Sequence, residues 1–254
     1  MNELKEIVNM IPEDTKKEIY QDGVKPAMVE TGKTLSLVPR VVKNALAKVE
    51  MWCINREFMV KEFEQELQRK LKSKNAENIV DADPSIFIPS AQAISYNWKK
   101  EDIRQLYLNL MASDMDITKK ENVHPSFSEV IKQMDSTDVK IFTRIYGKDI
   151  IPLCGLKLKK ENGTVPILDY LLTGDFYINT SENKVIKSLN NLERLKLIEI
   201  IDDEFYVDEN IYFPIKNGSQ IMKYKSEFLD NLDISKGMIK KTEFGKDFFD
   251  VCCK

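Results

Sequence analysis

Apolar residues recur every three or four positions through the first half of the chain, the spacing that places them on one face of a helix. Stripes of this kind predict helices at about 35–53, 55–74, 84–96, 100–115, 125–134 and 136–147. Pro39 predicts a kink in the first of these. Asp83 with Pro84, then Pro125, then Ser136 supply residue types typical of helix starts, and they predict where three of the helices begin.

After residue 150 the pattern changes to shorter segments. Apolar and polar residues alternate in Leu197–Ile201 and Phe205–Tyr212, which predicts a two-stranded hairpin with its turn at 202–204. The other predicted elements are an extended segment at 150–158, a turn at Asn162-Gly163, a short helix at 166–172, a helix at 182–196 capped by Ser181, a helix at 220–231, a strand at Met238–Lys241 and a helix at Glu243–Cys252.

These elements predict a mainly α protein of the α+β class with two domains. A helical N-terminal domain, including a polar N-terminal arm, is predicted at 1–134. A winged-helix-like domain carrying a small antiparallel β-hairpin is predicted at 135–254, because three helices followed by a two-stranded hairpin is the element order of that fold.

Charge does not point to one class of partner. The 254 residues include 38 Lys or Arg and 41 Asp or Glu, for a formal net charge of -3. A dedicated duplex-DNA-binding protein usually has a positive field over much of its surface, so the sequence favours at most a local basic patch. A hydrophobic content of 43% with 31% charged residues is ordinary for a globular protein and excludes an intrinsically disordered chain.

Cysteine use and hydropathy predict a cytoplasmic protein. None of the four cysteines forms a CxxC pair, and four thiols in 254 residues fit a reducing compartment. The N-terminus lacks an apolar signal core, and no stretch approaches the roughly 20 apolar residues needed to span a bilayer. Contact with the inner face of the membrane, and association of copies of the chain, are left open.

Residues suited to catalysis are sparse, and we expect no catalytic, cofactor or metal site. The single histidine, His124, precedes Pro125 at a predicted helix start, where its ring can accept backbone N–H groups. Asp114 and Asp116 could hold Mg²⁺ in principle, but Asp-x-Asp at a helix end is expected to be a solvated terminus. Gly32-Lys33-Thr34 lacks the earlier glycine of a phosphate-binding loop.

The segment 31–49 is basic and amphipathic. It contains Lys33, Arg40, Lys43 and Lys48 and no acidic residue, and Trp52 lies just beyond it. A helix of this kind can bind an anionic membrane surface or a protein partner. The alternative is a helix packed on the N-terminal domain with its basic side in water.

The predicted helix 182–196 is a candidate for nucleic-acid binding through Lys184, Lys187, Asn190 and Arg194. Arg and Asn side chains on such a helix can contact base edges in the major groove. Two features oppose this hypothesis. Glu182 and Glu193 dilute the positive charge of the helix, and an acidic hairpin tip at 202–204 would be repelled by phosphate.

Several segments together resemble the abortive infection alpha (Abi-alpha) family of bacteria. They are Ile79-Val80 with Asp83-Pro84, 89–96, 106–116, 124–134 with Asp138, 192–198 and 242–248, within a likeness that covers roughly 24–252. The most specific is His124-Pro125-Ser126-Phe127. The resemblance implies a role in phage resistance and brings no established catalytic residues. We interpret His124, Pro125 and Phe127 as a structural signature, with Pro125 at the first helical position and Phe127 in the core.

The leading hypothesis is therefore a non-enzymatic abortive-infection effector or regulator that acts through a protein partner or an anionic membrane surface. The alternative is a winged-helix nucleic-acid-binding transcriptional regulator. A third possibility is an enzyme, such as a nuclease, whose acidic residues come together only on folding.

Overall fold

The computed structural model describes residues 57–254. The predicted N-terminal arm and the predicted helix at 35–53 lie outside these residues. In the described part of the chain, the helices that precede the sheet are α1 (Glu57–Lys72), α2 (Pro84–Asn97), α3 (Glu101–Asp114), α4 (Phe127–Lys132) and α5 (Ser136–Tyr146). The predictions of helices at these places are confirmed.

Side-chain caps explain where two of these helices begin. The Asp83 carboxylate accepts a hydrogen bond from Ser85 N at 2.8 Å, and Pro84 follows as the first helical residue of α2. Asp135, rather than the predicted Ser136, caps α5, and it forms a capping box with Asp138. The Asp135 carboxylate accepts hydrogen bonds from the backbone N–H groups of Thr137 and Asp138.

The strands of residues 57–254 form a four-stranded antiparallel sheet with the order β2-β1-β4-β3. The strands are β1 (Pro152–Lys160), β2 (Gly163–Leu171), β3 (Ile198–Ile201) and β4 (Leu232–Lys241). The extended segment at 150–158 is confirmed as β1. The short helix predicted at 166–172 is wrong, because residues 166–171 belong to β2, where Pro166 is tolerated on an edge strand.

The predicted hairpin of 197–201 with 205–212 is also wrong. Ile198–Ile201 does form β3, but its partner is the distant β4, with Ile200 opposite Ile239. The segment after β3 ends in a 3₁₀ turn, Glu209–Tyr212, because Asp208 accepts a hydrogen bond from Asn210 N at 2.9 Å and caps that turn. Residues 202–204 are therefore not the tip of a β-hairpin.

The remaining helices of the described chain are α6 (Glu182–Arg194), α7 (Phe213–Lys216), α8 (Ser219–Phe228) and α9 (Glu243–Cys252). No helix in residues 57–254 combines the length and apolar character needed to cross a bilayer. The architecture is mixed α+β, with helices as the larger part.

Two hydrophobic clusters occupy the two faces of the sheet. The larger joins buried side chains of α1, α2, α3, α5, α6 and α9 to one face, which Leu153 of β1 enters. The smaller lies on the opposite face, where Cys154 of β1 meets Tyr212, Ile215 and Ile221. Side chains from before and after residue 134 share the larger cluster, and the proposed domain boundary at that residue stays a prediction.

Candidate functional site

Helix α6 presents a polar, basic side to solvent. Val185, Leu189 and Leu192 are buried in the larger cluster, and they anchor the helix against the protein. Lys184, Lys187 and Asn190, which the sequence singled out, are exposed on the other side. The structure therefore places three of the four nucleic-acid-binding candidates together on one solvent-facing surface, here called the α6 face.

The fourth candidate, Arg194, is engaged by neighbours although it is exposed. Its Nη1 donates to Gln133 Oε1 at 2.9 Å and its Nη2 donates to Asn191 Oδ1 at 2.7 Å. Asn191 Nδ2 in turn donates to the carboxylate of Asp138 at 2.8 Å. These contacts tie the end of α6 to Gln133, which follows α4, and to the first turn of α5.

The two acidic residues of α6 are also engaged by neighbouring elements. Glu182 Oε1 accepts hydrogen bonds from Tyr224 Oη at 2.6 Å and from Lys223 Nζ at 3.2 Å, both on α8. Glu193 Oε1 accepts from Ile200 N at 3.0 Å, at the edge strand β3. Their negative charges are therefore directed to a lysine, a tyrosine and a backbone N–H group rather than left unpaired beside Lys184 and Lys187.

The acidic residues at 202–204 do not form a wing beside this helix, since the predicted hairpin is absent from this place. Glu204 instead forms an ion pair with Lys240 of β4 at 2.7 Å. The hairpin that the described chain does contain is β1–β2, and the tip of that hairpin carries the exposed Lys159 and Lys160.

The signature segment around His124 packs on α9. His124 Nδ1 accepts a hydrogen bond from Ser126 N at 3.1 Å. The helix begins at Phe127, so Pro125 lies in the turn before α4 and not at its first position. The backbone N–H of Phe127 closes that turn by donating to the carbonyl oxygen of His124 at 2.9 Å. Phe127 is fully buried, and the centroid of its ring lies 5.3 Å from the ring centroid of Phe244 and 5.2 Å from that of Phe248. Two segments that carry the family resemblance thus meet in one aromatic cluster.

Three polar side chains hold the C-terminal end of α9, and the sequence patterns did not reveal them. Asn109, Ser113 and Lys119 donate hydrogen bonds of 2.8, 3.0 and 2.9 Å to the carbonyl oxygens of residues 252, 251 and 250. The last carbonyls of a helix have no partner within the helix, so these donors satisfy groups that would otherwise be unpaired. Small polar residues among the apolar residues of α3 were the available signal.

Asp114 and Asp116 are buried, so the expectation of a solvated helix end is wrong. Asp114 accepts a hydrogen bond from Asp83 N at 2.7 Å, and burial raises the pKa of its carboxyl group. Asp116 pairs with Lys74 at 2.7 Å; burial pushes its pKa upward, but hydrogen bonds from Lys74 and Thr118 outweigh burial and lower it. The described residues contain no group of acidic, histidine or cysteine side chains arranged to hold a metal ion.

A small cavity is lined mainly by residues of strands β1, β2 and β4. Gly155, Ser235 and Gly237 are among its lining residues, together with Tyr170 and Lys157. Its volume of about 170 Å³ is below the ~300–1,000 Å³ of typical small-molecule sites. The α6 face is therefore the better candidate for function.

The membrane or partner candidates Lys33, Arg40, Lys43, Lys48 and Trp52 lie outside the described residues. Their proposed role stays a prediction.

Comparison with known proteins gives one family. The family described as Abortive infection alpha matches residues 55–252. No curated protein matches the chain. An uncharacterized protein from the hydrocarbon-degrading marine bacterium Alcanivorax borkumensis SK2 is similar in structure, with a TM-score of 0.33 and 11% identity over 54% of this chain and 96% of that chain. A similarity of that size carries no conclusion about this chain.

Proposed function

Because the chain belongs to the abortive infection alpha family, we propose that it is a bacterial phage-defence protein that acts by binding rather than by catalysis. The observation that carries the proposal is the family match, which spans residues 55–252. The protein acts in this view as an effector or regulator of the infected cell.

The contacts of the titratable side chains support a binding role. His124, the single histidine of the sequence, accepts a backbone N–H group of its own turn. Asp114 and Asp138, whose pKa values are raised by burial, each accept a backbone N–H at a helix start. A general acid or base must instead reach a substrate from a cleft.

The proposed contact of this effector is the basic amphipathic segment 31–49, which is suited to a protein partner or to an anionic surface at the inner face of the membrane. Phage challenge of a host that expresses the chain, at low and high multiplicity, tests the proposal. Fewer plaques, with collapse of the culture only at high multiplicity, is the expected result. Reversing the charge of Lys33, Arg40 and Lys43 to Glu should abolish protection.

A matched control is available on the β1–β2 hairpin. Lys157, Lys159 and Lys160 are exposed, and changing all three to Glu alters the net charge by the same amount. The control should retain protection. Loss of protection in both variants, or in neither, would contradict the assignment of the contact to segment 31–49, and normal plaquing with the unaltered chain would contradict the defence function.

A second candidate function is nucleic-acid binding by a winged-helix-like regulator. The observation that favours it is the α6 face, where Lys184 and Lys187 are exposed while Glu182 and Glu193 are engaged elsewhere. Helix α6 packs on α5 and leads directly into β3, which pairs with β4. Filter binding across a salt series tests this function, and absence of binding at low salt would contradict it.

A further inference from the structure

The α6 face has the charge, the shape and the side chains suited to one kind of nucleic acid. We propose that α6 enters the major groove of duplex DNA, with Lys184 and Lys187 on backbone phosphates and Asn190 on a base edge. This inference rests on the second candidate function and names the nucleic acid that it would bind.

The charge of the face is positive without local compensation. Within residues 57–254, Lys184 and Lys187 take part in no ion pair. Glu182 lies at the start of the same helix, but Lys223 and Tyr224 hold its carboxylate against α8. Each lysine is therefore available to a phosphate group and can release a counterion from DNA on binding.

The shape of α6 suits the major groove. Its 13 residues give a rod of about 20 Å at 1.5 Å per residue, with a diameter of about 10–12 Å. The major groove of B-form DNA is about 12 Å wide. Lys184, Lys187 and Asn190 lie within an arc of about 120° at 100° per residue, so all three can face the same groove.

The composition of α6 favours a duplex over a single strand. Proteins that bind single strands stack bases on aromatic rings, and α6 contains no aromatic residue. An asparagine can instead form a bidentate contact with the edge of adenine in the major groove. The deep, narrow major groove of duplex RNA does not admit such contacts, so DNA is the expected partner.

Arg194 has a different role from the one its charge suggests. Its guanidinium group binds Gln133 and Asn191, and Asn191 binds the buried Asp138. Arg194 is thus a positioning residue that fixes the end of α6. A surface that is rigid before binding loses less conformational freedom when the complex forms.

The test measures binding of the full chain to three probes of random sequence, namely a DNA duplex of about 20 base pairs, the single strand of the same length and an RNA duplex. We expect the DNA duplex to bind most tightly. Changing Lys184 and Lys187 to Ala should lower the slope of log affinity against log salt by about 1 for each lysine. The matched control changes Lys159 and Lys160 to Ala on the β1–β2 hairpin, and it should leave the slope unchanged.

Selection from a random duplex library tests Asn190. The unaltered chain should enrich a motif, and Asn190→Ala should reduce discrimination at one base pair by roughly 5- to 140-fold, as expected for loss of one bidentate contact. Equal affinity for the DNA duplex and the single strand would overturn the inference that α6 enters the major groove, but it would still agree with the second candidate function, nucleic-acid binding. Absence of binding to every probe would overturn both the major-groove inference and the nucleic-acid-binding function. The phage-challenge experiment tests the defence function separately.

Discussion

The buried carboxylates of Asp114 and Asp138 accept hydrogen bonds from backbone N–H groups. Asp114 is fully buried at the end of α3 and accepts the N–H of Asp83, the residue that caps α2. Asp138 does the same for Asp135 at the start of α5 and also accepts from Asn191 of α6. Each acid therefore joins two elements, which explains its burial without any catalytic role.

Asp114 makes the stability of the protein depend on pH. Burial raises the pKa of its carboxyl group, so the folded chain favours the protonated form. The protonated Asp114 side chain therefore contributes to the free energy of unfolding. This contribution is fully present below the unfolded pKa of about 3.9 and is lost as pH rises through the folded pKa. We expect Asp114→Asn to gain free energy of unfolding relative to the unaltered chain as pH rises through this window.

Urea unfolding at a series of pH values measures the difference. Asp149→Asn serves as the control, because Asp149 is exposed. If the Asp114 variant and the unaltered chain follow parallel curves of stability against pH, the burial of Asp114 has no linkage to folding and the prediction is wrong.

At the scale of elements, the start of α9 is held in close contact with the chain that follows α6. Thr242 caps α9 by accepting a hydrogen bond from Gly245 N at 2.9 Å. Tyr146 Oη donates to Leu197 O at 2.8 Å beside this turn. A Cβ atom at Gly245 would overlap both the Leu197 carbonyl oxygen and the Tyr146 hydroxyl oxygen, so only glycine fits between them.

Gly245→Ala should therefore destabilise the fold. In an open helix this change stabilises by about 1 kcal/mol. At Gly245 the added methyl group would overlap a backbone carbonyl oxygen, which cannot move as easily as a side chain. Overpacking of this kind costs about 1–3 kcal/mol or more, so we expect the free energy of unfolding to fall. Thermal unfolding compares this variant with Gly174→Ala, where the added methyl group would meet only the Gln220 side chain at 3.6 Å. An equal melting temperature for the two variants would contradict the close contact.

At the scale of the whole molecule, the larger hydrophobic cluster of residues 57–254 joins segments that are distant in sequence. Phe127 of α4 lies between Phe244 and Phe248 of α9, more than 100 residues away. The C-terminal carbonyls of α9 are held by side chains of α3 and of the segment after it. The last helix of the chain thus completes the core of the earlier helices.

This shared core predicts that the two sides of residue 134 unfold together. Phe127→Ala removes a fully buried ring, at a cost of about 3–5 kcal/mol, and it should shift a single transition to lower temperature. Tyr96→Ala is the control, since Tyr96 is 79% exposed. Calorimetry that resolves two transitions, with one unaffected by Phe127→Ala, would show instead that 1–134 and 135–254 unfold as independent domains.

Local patterns were enough for most of the helices in residues 57–254 and for the strand segments of β1 and β3. The helical stripes at 84–96, 100–115 and 182–196 each bury one face, and the structure has α2, α3 and α6 at these places. The two failures both involve strands. Residues 166–171 lie in β2, which pairs with the neighbouring strand β1, and residues 205–212 form no strand but end in the 3₁₀ turn that Asp208 caps. Both patterns were ambiguous, and strand pairing in one case and capping in the other decided the conformation.

The candidate site was predictable in part. Exposure of Lys184, Lys187 and Asn190 follows from their spacing on an amphipathic helix, because apolar residues occupy the other side. The hydrogen bonds of Arg194 and Glu182 could not be predicted from the sequence pattern. Their partners, Gln133 and Tyr224, belong to other parts of the chain that pack beside α6 only after folding.

The sequence by itself determined the α+β class, most helices, and the family that residues 55–252 match, because periodicity, caps and local motifs are properties of short segments. Tertiary structure alone decided that β3 pairs with β4, that Asp114 is buried and that α6 has a basic face with its acids engaged elsewhere. The physical reason is that strand pairing, desolvation and charge neutralisation depend on groups brought together across long stretches of chain, and no local pattern records those distances.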